Sequence, residues 1–143
     1  MALRVAIAEE PEPALVEALN ALVPQLSSHP TPVTVEDVSA IVTSESSLLF
    51  VARDGDAIVG VATLALYRVP TGLKAWIEDV VVDEGARGSG VGEALVGALV
   101  DEARARGVTA VDLTSRPTRE AAHRLYQRLG FTIRETSVYR LTL

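Results

Sequence analysis

Three glycines, Gly88, Gly90 and Gly92, follow closely after a run of valines that ends at Val82. Apolar side chains at helical spacing come next, so the glycines lie between a predicted strand and the start of a predicted helix. Backbone amides that glycine leaves uncovered at the positive end of a helix dipole attract phosphate. Arg87, just before the first glycine, adds a charged fork of hydrogen-bond donors. The segment therefore predicts a phosphate or pyrophosphate site.

Glycine can also serve a loop simply by allowing a tight turn or a close helix contact. One glycine is enough for a tight turn, and the presence of three favours the ligand site. A dinucleotide-binding fingerprint fits less well because Glu93 stands where its third glycine belongs, although Asp112 could imitate its ribose-binding acid. Too little chain follows for a second mononucleotide half. A nucleoside triphosphate loop fits worse than a dinucleotide fingerprint because no Gly-Lys-Ser or Gly-Lys-Thr occurs.

The composition is that of an ordinary globular domain. With 143 residues, 48% hydrophobic and 22% charged, we expect residues 1–143 to form one domain, too apolar for intrinsic disorder. The absence of cysteine excludes a disulfide framework and a cysteine nucleophile, and with only two histidines no metal site is expected. The chain opens on no long apolar run, so we expect neither a signal peptide nor a membrane span, but a cytoplasmic protein.

The formal charge of −6 is unevenly distributed along the chain. Residues 1–75 carry −5 and residues 76–143 carry −1, so the second half is the better place for an anionic ligand. Twelve of the thirteen basic residues are arginines, and they alternate with acids instead of forming a basic run. Nucleic-acid binding needs many phosphate contacts from one basic face and is therefore disfavoured.

Periodicity and turn residues predict the elements that must position the glycine loop. Strands are predicted at residues 3–8, 48–53, 57–67, 75–82, 108–114, 131–135 and 138–143, and helices at residues 11–26, 34–43, 88–106 and 117–129. The order β-α-α-β-β-β-α-β-α-β-β indicates an α/β fold of the mixed α+β kind. We expect a mixed, mostly antiparallel sheet of about seven strands with helices on both faces and one parallel crossover. Such a crossover often marks a ligand crevice.

Two motifs together resemble those of the GNAT superfamily of N-acetyltransferases. Arg87-x-x-Gly90-x-Gly92 is similar to the family's acetyl-CoA signature, Gln/Arg-x-x-Gly-x-Gly/Ala. Further on, Leu125-Tyr126-Gln127-Arg128-Leu129-Gly130-Phe131 is similar to the Leu-Tyr-x-x-Leu-Gly-Phe ending of the family's late helix. The motifs occur in the family's order and spacing, so the resemblance covers essentially the whole chain. It implies the GNAT fold and direct acetyl transfer from acetyl-CoA to an amine, without a covalent acyl-enzyme.

The resemblance implies that acetyl-CoA binds around the glycine loop. The residues expected to bind it are Val80, Val81, Val82, Arg87, Gly88, Ser89, Gly90, Val91, Gly92, Glu93 and Arg119. Backbone groups of the valine strand would pair with the pantetheine arm, and an amide near Val80 or Val81 would help to polarise the thioester carbonyl. Arg119 stands where the family often has asparagine, so its guanidinium is expected to contact either phosphate or an anionic substrate.

Two residues are predicted to take part in the proton transfers. A phenol with a pKa of about 10 stays protonated at neutral pH, so Tyr126 is the candidate acid for the departing thiolate. Its alternative role is that of a half-buried structural aromatic. Glu78 is the candidate base through likeness to the glucosamine-phosphate acetyltransferase branch, which carries a matching Glu-Asp pair. Because neighbouring strand residues point to opposite faces, Glu78 is expected to share a face with Val80 and Val82, opposite to Asp79.

The acceptor is left open between two chemistries. The acidic first half favours a cationic amine, whereas the glucosamine-phosphate likeness and the arginines favour an anionic one. Thr114 stands where peptide-acetylating relatives carry a glutamate, which weakens the case for a protein N-terminus. A small-molecule or peptide amine is the expected partner, and because many relatives are dimers a homodimer is compatible with the resemblance. The rivals are a catalytically degenerate acyl-CoA-binding or regulatory module and, with less support, a dinucleotide-binding domain.

Overall fold

The computed structural model describes residues 2–143 and builds one five-stranded sheet. Its strands are β1 (Leu3–Ile7), β2 (Ser47–Asp54), β3 (Ala57–Val69), β4 (Gly72–Val82) and β5 (Val111–Asp112). They lie side by side in chain order; neighbours from β1 to β4 are antiparallel, and β5 is parallel to β4. The predicted mixed, mostly antiparallel sheet is confirmed, although it has fewer strands than expected.

Helices cover both faces of this sheet. They are α1 (Pro13–Leu22), α2 (Val35–Val42), α3 (Val91–Ala105) and α4 (Glu120–Arg128), with short 3-10 turns at Val23–Gln25 and Glu84–Ala86. Helices α1 and α2 pack over a core cluster that includes Leu49 and Val81, and α3 packs on the opposite face over a cluster that includes Leu64 and Ile77. Within residues 2–143, no helix is long and apolar enough to cross a bilayer.

Local sequence explains where α1 and α2 form. Leu15, Leu19 and Leu22 recur at helical spacing and are buried against the sheet. At the start of α2, Thr34 Oγ1 accepts a hydrogen bond from the Asp37 amide at 3.1 Å, and the Asp37 carboxylate accepts one from the Thr34 amide at 2.9 Å. This capping box satisfies two amides that have no partner within the helix, and its hydrogen bonds hold the pKa of Asp37 below its ordinary value.

Helix α3 forms the parallel crossover and carries the widest apolar face. Val91, Leu95, Val96, Leu99 and Ala103 are all buried against the sheet. Gly107, with a φ of +82°, lies just beyond its C-terminal end. A left-handed residue at this position is a common helix stop, and glycine adopts it without strain. The crossover thus fixes the N-terminal end of α3 beside the end of β4.

Gly97, inside α3, offers a test of how far helix propensity alone contributes to the stability of this helix. A Cβ added there meets no other heavy atom within 4 Å. Alanine is favoured over glycine in a helix interior by about 0.8–1.0 kcal/mol, so we expect Gly97→Ala to raise the free energy of unfolding by up to about that amount. Urea unfolding followed by circular dichroism measures the change. A lower unfolding midpoint with an unchanged slope would contradict the expectation.

The two terminal strands predicted at residues 131–135 and 138–143 do not form. The large apolar side chains in this segment are exposed, with relative exposures of 73% or more at Ile133, Val138, Tyr139, Leu141 and Leu143. A strand needs a paired neighbour for its backbone groups, and the adjacent sheet edge, β5, is only two residues long. The alternating pattern identifies residues that favour a strand, but it does not provide the partner strand.

Strand β5 is also shorter than the predicted residues 108–114. It pairs with β4 only at Ala75 with Val111 and at Trp76 with Asp112. Beyond Trp76 the two strands separate, while β4 continues to Val82. The edge of β4 that faces β5 is therefore free along the valine run, and its backbone groups remain available to another partner.

Candidate active site

A cavity of about 350 Å³ lies between the end of β4, the first turn of α3 and α4. Of the predicted site residues, it is lined by Val80, Val81, Val82, Arg87, Gly88, Gly90, Val91, Gly92, Glu93, Arg119 and Tyr126. Ser89 and Glu78 do not line it. The fold thus brings the late helix together with the valine strand and the glycine loop around one space, although α3 and β5 separate the late helix from them in the sequence.

The glycine loop opens toward this cavity through its backbone. Gly88 and Gly90 both have a φ of +82°, and Gly90 is the N-cap of α3. No side chain caps this end of the helix, so the first amides of α3 keep their hydrogens free of protein partners. A Cβ built on Gly88 or Gly90 meets nothing within 4 Å. Open space therefore lies above an uncapped, positively polarised helix end, as an anion site requires.

Gly92 differs from the other two glycines because it faces a neighbouring helix and not open space. A Cβ placed on it would lie 3.2 Å from Cδ2 of Leu125 on α4. Arg128 Nε and Glu93 Oε1, 3.8 Å apart, also link α4 to the first turn of α3. Glycine at this position lets the two helices approach closely, so the third glycine of the motif shapes the cavity by packing.

Gln25, which no sequence pattern indicates as a site residue, holds Arg87 across the mouth of the loop. Nη2 of Arg87 donates a hydrogen bond to Oε1 of Gln25, at 3.1 Å. Gln25 ends the 3-10 turn after α1 and also lines the cavity. The two residues are 62 positions apart, and no local pattern in the sequence marks Gln25 as a partner of the loop.

Tyr126 lies on α4 with 9% of its surface exposed. Its ring meets that of Phe131 edge to face, with centroids 5.8 Å apart. Burial raises the pKa of the Tyr126 phenol above its ordinary value, and the positive charge of Arg119 opposes this shift. Tyr126 is thus a protonated phenol at neutral pH inside the cavity, with the protonation state that a general acid needs.

A β-bulge in β4 corrects the expected arrangement around Glu78. Between the pairs Val61 with Val81 and Thr63 with Glu78, β4 has one residue more than β3, and Asp79 there has a φ of +50°. An extra residue reverses the alternation of faces beyond it. Val80 and Val82 therefore pack on the α3 side, while Val81 packs under α1 and α2.

Glu78 consequently shares its face with Val81, and the prediction that it shares a face with Val80 and Val82 was wrong. Its side chain is exposed. It lies directly opposite Thr63, outside the cavity that holds Tyr126. The bulge separates the two candidate proton-transfer residues onto different sides of the strand end. The face of the sheet that carries Glu78 is the one that α1 and α2 only partly cover.

One known protein family accounts for this arrangement of strand, glycine loop and late helix. The sequence model of the acetyltransferase (GNAT) family matches residues 14–131. The chain belongs to the GNAT acetyltransferase family. Acetyl-CoA is the acyl donor of this family. The matched region of this GNAT domain runs from α1 through the glycine loop to Phe131, and so includes every residue that lines the cavity.

Individual relatives agree with this assignment. The GNAT chain is 39% identical over 87 residues to mycothiol acetyltransferase of Beutenbergia cavernae, covering 61% of this chain but 29% of that protein. It therefore spans less than a third of that relative's length. An acetyltransferase structure from Trypanosoma brucei is 28% identical, covers 99% of both chains and has a TM-score of 0.79. Glucosamine-6-phosphate N-acetyltransferase from Arabidopsis thaliana, at 19% identity and 99% coverage of both chains, has a TM-score of 0.80 and shows the shared fold alone.

The dinucleotide-binding alternative does not agree with the GNAT fold. A mononucleotide-binding half requires successive parallel strands. Among residues 2–143, only β4 and β5 pair in parallel, and the glycine loop follows the fourth strand of an antiparallel meander. Asp112, which could imitate the ribose-binding acid, lies on β5 beside Trp76 and does not line the cavity.

Proposed function

We propose that this protein transfers the acetyl group of acetyl-CoA to a primary amine of a small molecule or peptide by direct attack. The observation that carries the proposal is the single cavity lined by the free end of β4, the uncapped start of α3 and the protonated phenol of Tyr126. These three features correspond to the three parts of the donor, namely its pantetheine arm, its pyrophosphate and its departing sulfur.

The start of α3 is the proposed pyrophosphate site. Amides of Val91, Gly92 and Glu93 lie in the first helical turn, where intrahelical acceptors are absent. The space above Gly88 and Gly90 would be filled by any larger side chain, so the loop keeps room for a bulky anion. Arg87, positioned by Gln25, supplies the fixed positive charge at this mouth.

The free edge of β4 is the proposed site for the pantetheine arm. Backbone groups from Val80 to Val82 can pair with an amide-containing chain as with an added strand. The bulge at Asp79 redirects the backbone just before these residues. An amide of Val80 or Val81 then polarises the thioester carbonyl, whose carbon the acceptor nitrogen attacks. Acetyl-CoA supplies an activated acetyl group, so no protein nucleophile is required.

Tyr126 and Glu78 are the proposed proton-transfer residues. Glu78, exposed on the open face of the sheet, accepts a proton from the ammonium group, directly or through water, so that the neutral amine can attack. As the carbon–nitrogen bond forms and the carbon–sulfur bond breaks, the departing sulfur takes the proton of the Tyr126 hydroxyl. The second proton that the attacking nitrogen loses then passes through water to Tyr126 and restores the phenol. Burial keeps this phenol protonated at neutral pH, so its hydroxyl can donate a hydrogen bond to the sulfur as negative charge develops there. The positive charge of Arg119 acts against the upward shift of the phenol pKa and so favours the proton transfer.

Thermal melting with added ligands tests the first step of the proposed reaction, the binding of acetyl-CoA. At a hundredfold excess over its Kd, a ligand stabilises the folded state by about 2.7 kcal/mol. We expect the melting temperature to rise with acetyl-CoA and with CoA, and to stay unchanged with NAD. The same preparation is then assayed for free CoA against a panel of primary amines, and release is expected with at least one of them.

Each rival gives a different result in this pair of experiments. No shift with acetyl-CoA would overturn the proposal outright. A shift with acetyl-CoA but no CoA release with any amine would indicate a catalytically degenerate acyl-CoA-binding module. A shift with NAD alone would indicate a dinucleotide-binding domain.

A further inference from the structure

Part of the sheet face beneath α1 and α2 is left uncovered by both helices. Leu49 and Val81 on this face belong to the core cluster under these helices. Farther along the same face, Ala65, Tyr67 and Trp76 belong to neither core cluster. Trp76 is half-buried and Tyr67 is 42% exposed. Two large aromatic side chains thus lie on an open sheet surface, where they do not contribute to the core.

Strand register places acidic side chains beside this aromatic pair. Trp76 on β4 is the direct partner of Asp112 on β5, and Glu78 lies two residues farther along β4 on the same face. Lys74 is the direct partner of Tyr67 at the other end. We call these five residues, Tyr67, Lys74, Trp76, Glu78 and Asp112, the aromatic shelf. The shelf adjoins the strand end where the proposed acetyl transfer takes place.

The two aromatic residues of the shelf are hydrogen-bonded to each other. Trp76 Nε1 donates to the hydroxyl oxygen of Tyr67 at 2.8 Å. Because this bond satisfies the indole N–H, the ring face is what Trp76 can offer a ligand. An indole face is a large apolar surface on which a flat ring stacks favourably.

The carboxylates of the shelf have no cationic partner. Neither Glu78 nor Asp112 forms an ion pair within the described residues 2–143. Arg119, which favoured an anionic acceptor, lines the cavity proposed for the donor. The positive charge of Arg119 thus lies on the donor side, and the two carboxylates of the shelf, which form no ion pair within residues 2–143, favour a cationic acceptor over an anionic one.

We propose that the aromatic shelf binds the acceptor, and that the acceptor is a small-molecule primary amine with a positive charge next to a flat or apolar body. The ammonium lies between the carboxylates of Glu78 and Asp112, and the body packs on the ring of Trp76. A phosphorylated acceptor is disfavoured by the same two carboxylates. The inference rests on the proposed acetyl transfer and specifies its substrate class.

Trp76 provides a direct readout of binding because it is the only tryptophan in the chain. Its fluorescence is titrated with 2-phenylethylamine, with 2-phenylethanol as the uncharged analogue, with ethylamine as the amine without a body, and with glucosamine 6-phosphate as the anionic alternative. We expect a saturable change with 2-phenylethylamine at the lowest concentration of the four. Free N-acetyltryptophanamide corrects for direct quenching.

Variants test the shelf separately from catalysis. Trp76→Leu is expected to raise the KM for 2-phenylethylamine roughly tenfold, while the Kd for acetyl-CoA changes less than about twofold. Asp112→Asn is expected to raise the same KM about threefold or more, in line with the loss of one charge contact. Tyr139→Phe, a change at a 93% exposed tyrosine outside the shelf, serves as the control. Unaltered acetyl-CoA binding verifies that each variant is folded.

The outcomes separate this inference from the proposed function. If amines are acetylated but Trp76 fluorescence does not respond to 2-phenylethylamine, or if Trp76→Leu leaves its KM unchanged, the inference is wrong and the acetyltransferase activity stands. Tighter binding of glucosamine 6-phosphate would likewise overturn it. If 2-phenylethylamine binds as expected but no amine yields CoA, the shelf is a binding site and the proposed transfer is wrong.

Discussion

Replacing Tyr126 by phenylalanine is expected to lower kcat by about a hundredfold or more, in the range that removal of a general acid produces, while the Kd for acetyl-CoA changes less than about threefold. Phenylalanine keeps the ring that packs against Phe131 at a centroid distance of 5.8 Å, so the fold and the cavity wall are retained. Only the hydroxyl group is lost. CoA release measures the first quantity, and calorimetric titration measures the second.

A matched control for this variant is Tyr139→Phe, because Tyr139 is 93% exposed and does not line the cavity. The Tyr139→Phe variant loses the same hydroxyl group at a different position, and its kcat is expected to equal that of the unmodified protein. An unchanged kcat in Tyr126→Phe would remove Tyr126 from the mechanism. A large loss of acetyl-CoA affinity together with kcat would show that the hydroxyl binds the donor and does not act in the chemical step.

The pH dependence of Tyr126 gives an independent check on its role. Burial raises the pKa of this phenol, so the neutral form is favoured in the folded protein. The associated stability is intact below the unfolded-state pKa of about 10 and is lost as the pH rises through the folded-state value. Tyr126 should therefore stay protonated from pH 7 to 9, and its ionisation should not change kcat over that range. Absorbance at 295 nm should show one tyrosine that ionises later than the others and is missing in Tyr126→Phe.

The residues that line the cavity were largely predictable from the sequence because local patterns mark them. Glycines at a strand-to-helix junction supply no side chain to cap the helix, and ten of the eleven residues predicted to bind acetyl-CoA line the cavity. Tyr126 was predictable because its motif fixes its position near the end of α4. In each case a short stretch of chain determines both the conformation and the chemistry.

The features that the sequence did not predict depend on contacts between segments that are distant in the sequence. The bulge at Asp79 arises from the pairing of β4 with β3, so the two-residue alternation of a single strand could not indicate it, and the face assigned to Val80 was wrong as a result. Residues 131–143 have strand-like alternation but no strand partner. Gln25 and the aromatic shelf likewise become recognisable only after the strands and the 3-10 turn have been placed.

Replacing Gly90 by valine is expected to raise the Kd for acetyl-CoA roughly tenfold or more. Gly90 is the N-cap of α3 at a φ of +82°, where a β-branched residue is strained. A Cβ there meets nothing within 4 Å, so the effect comes from the backbone and from the space that the side chain takes above the helix end. Strain of about 1–3 kcal/mol is relieved by turning the first amides of α3 away from their common direction, and about 1.4 kcal/mol corresponds to tenfold in affinity.

Gly107→Val is the matched control because Gly107 has the same φ of +82°, equally open surroundings and a position at the opposite end of α3. Both variants should lose comparable stability in urea unfolding, but only Gly90→Val should lose affinity for acetyl-CoA. Equal loss of affinity in both would mean that general destabilisation explains the effect. Wild-type affinity in Gly90→Val would show that the amides at the start of α3 do not hold the pyrophosphate. A loss confined to Gly90→Val assigns the polyanion to backbone donors, and this explains how a chain with a formal charge of −6 can bind one.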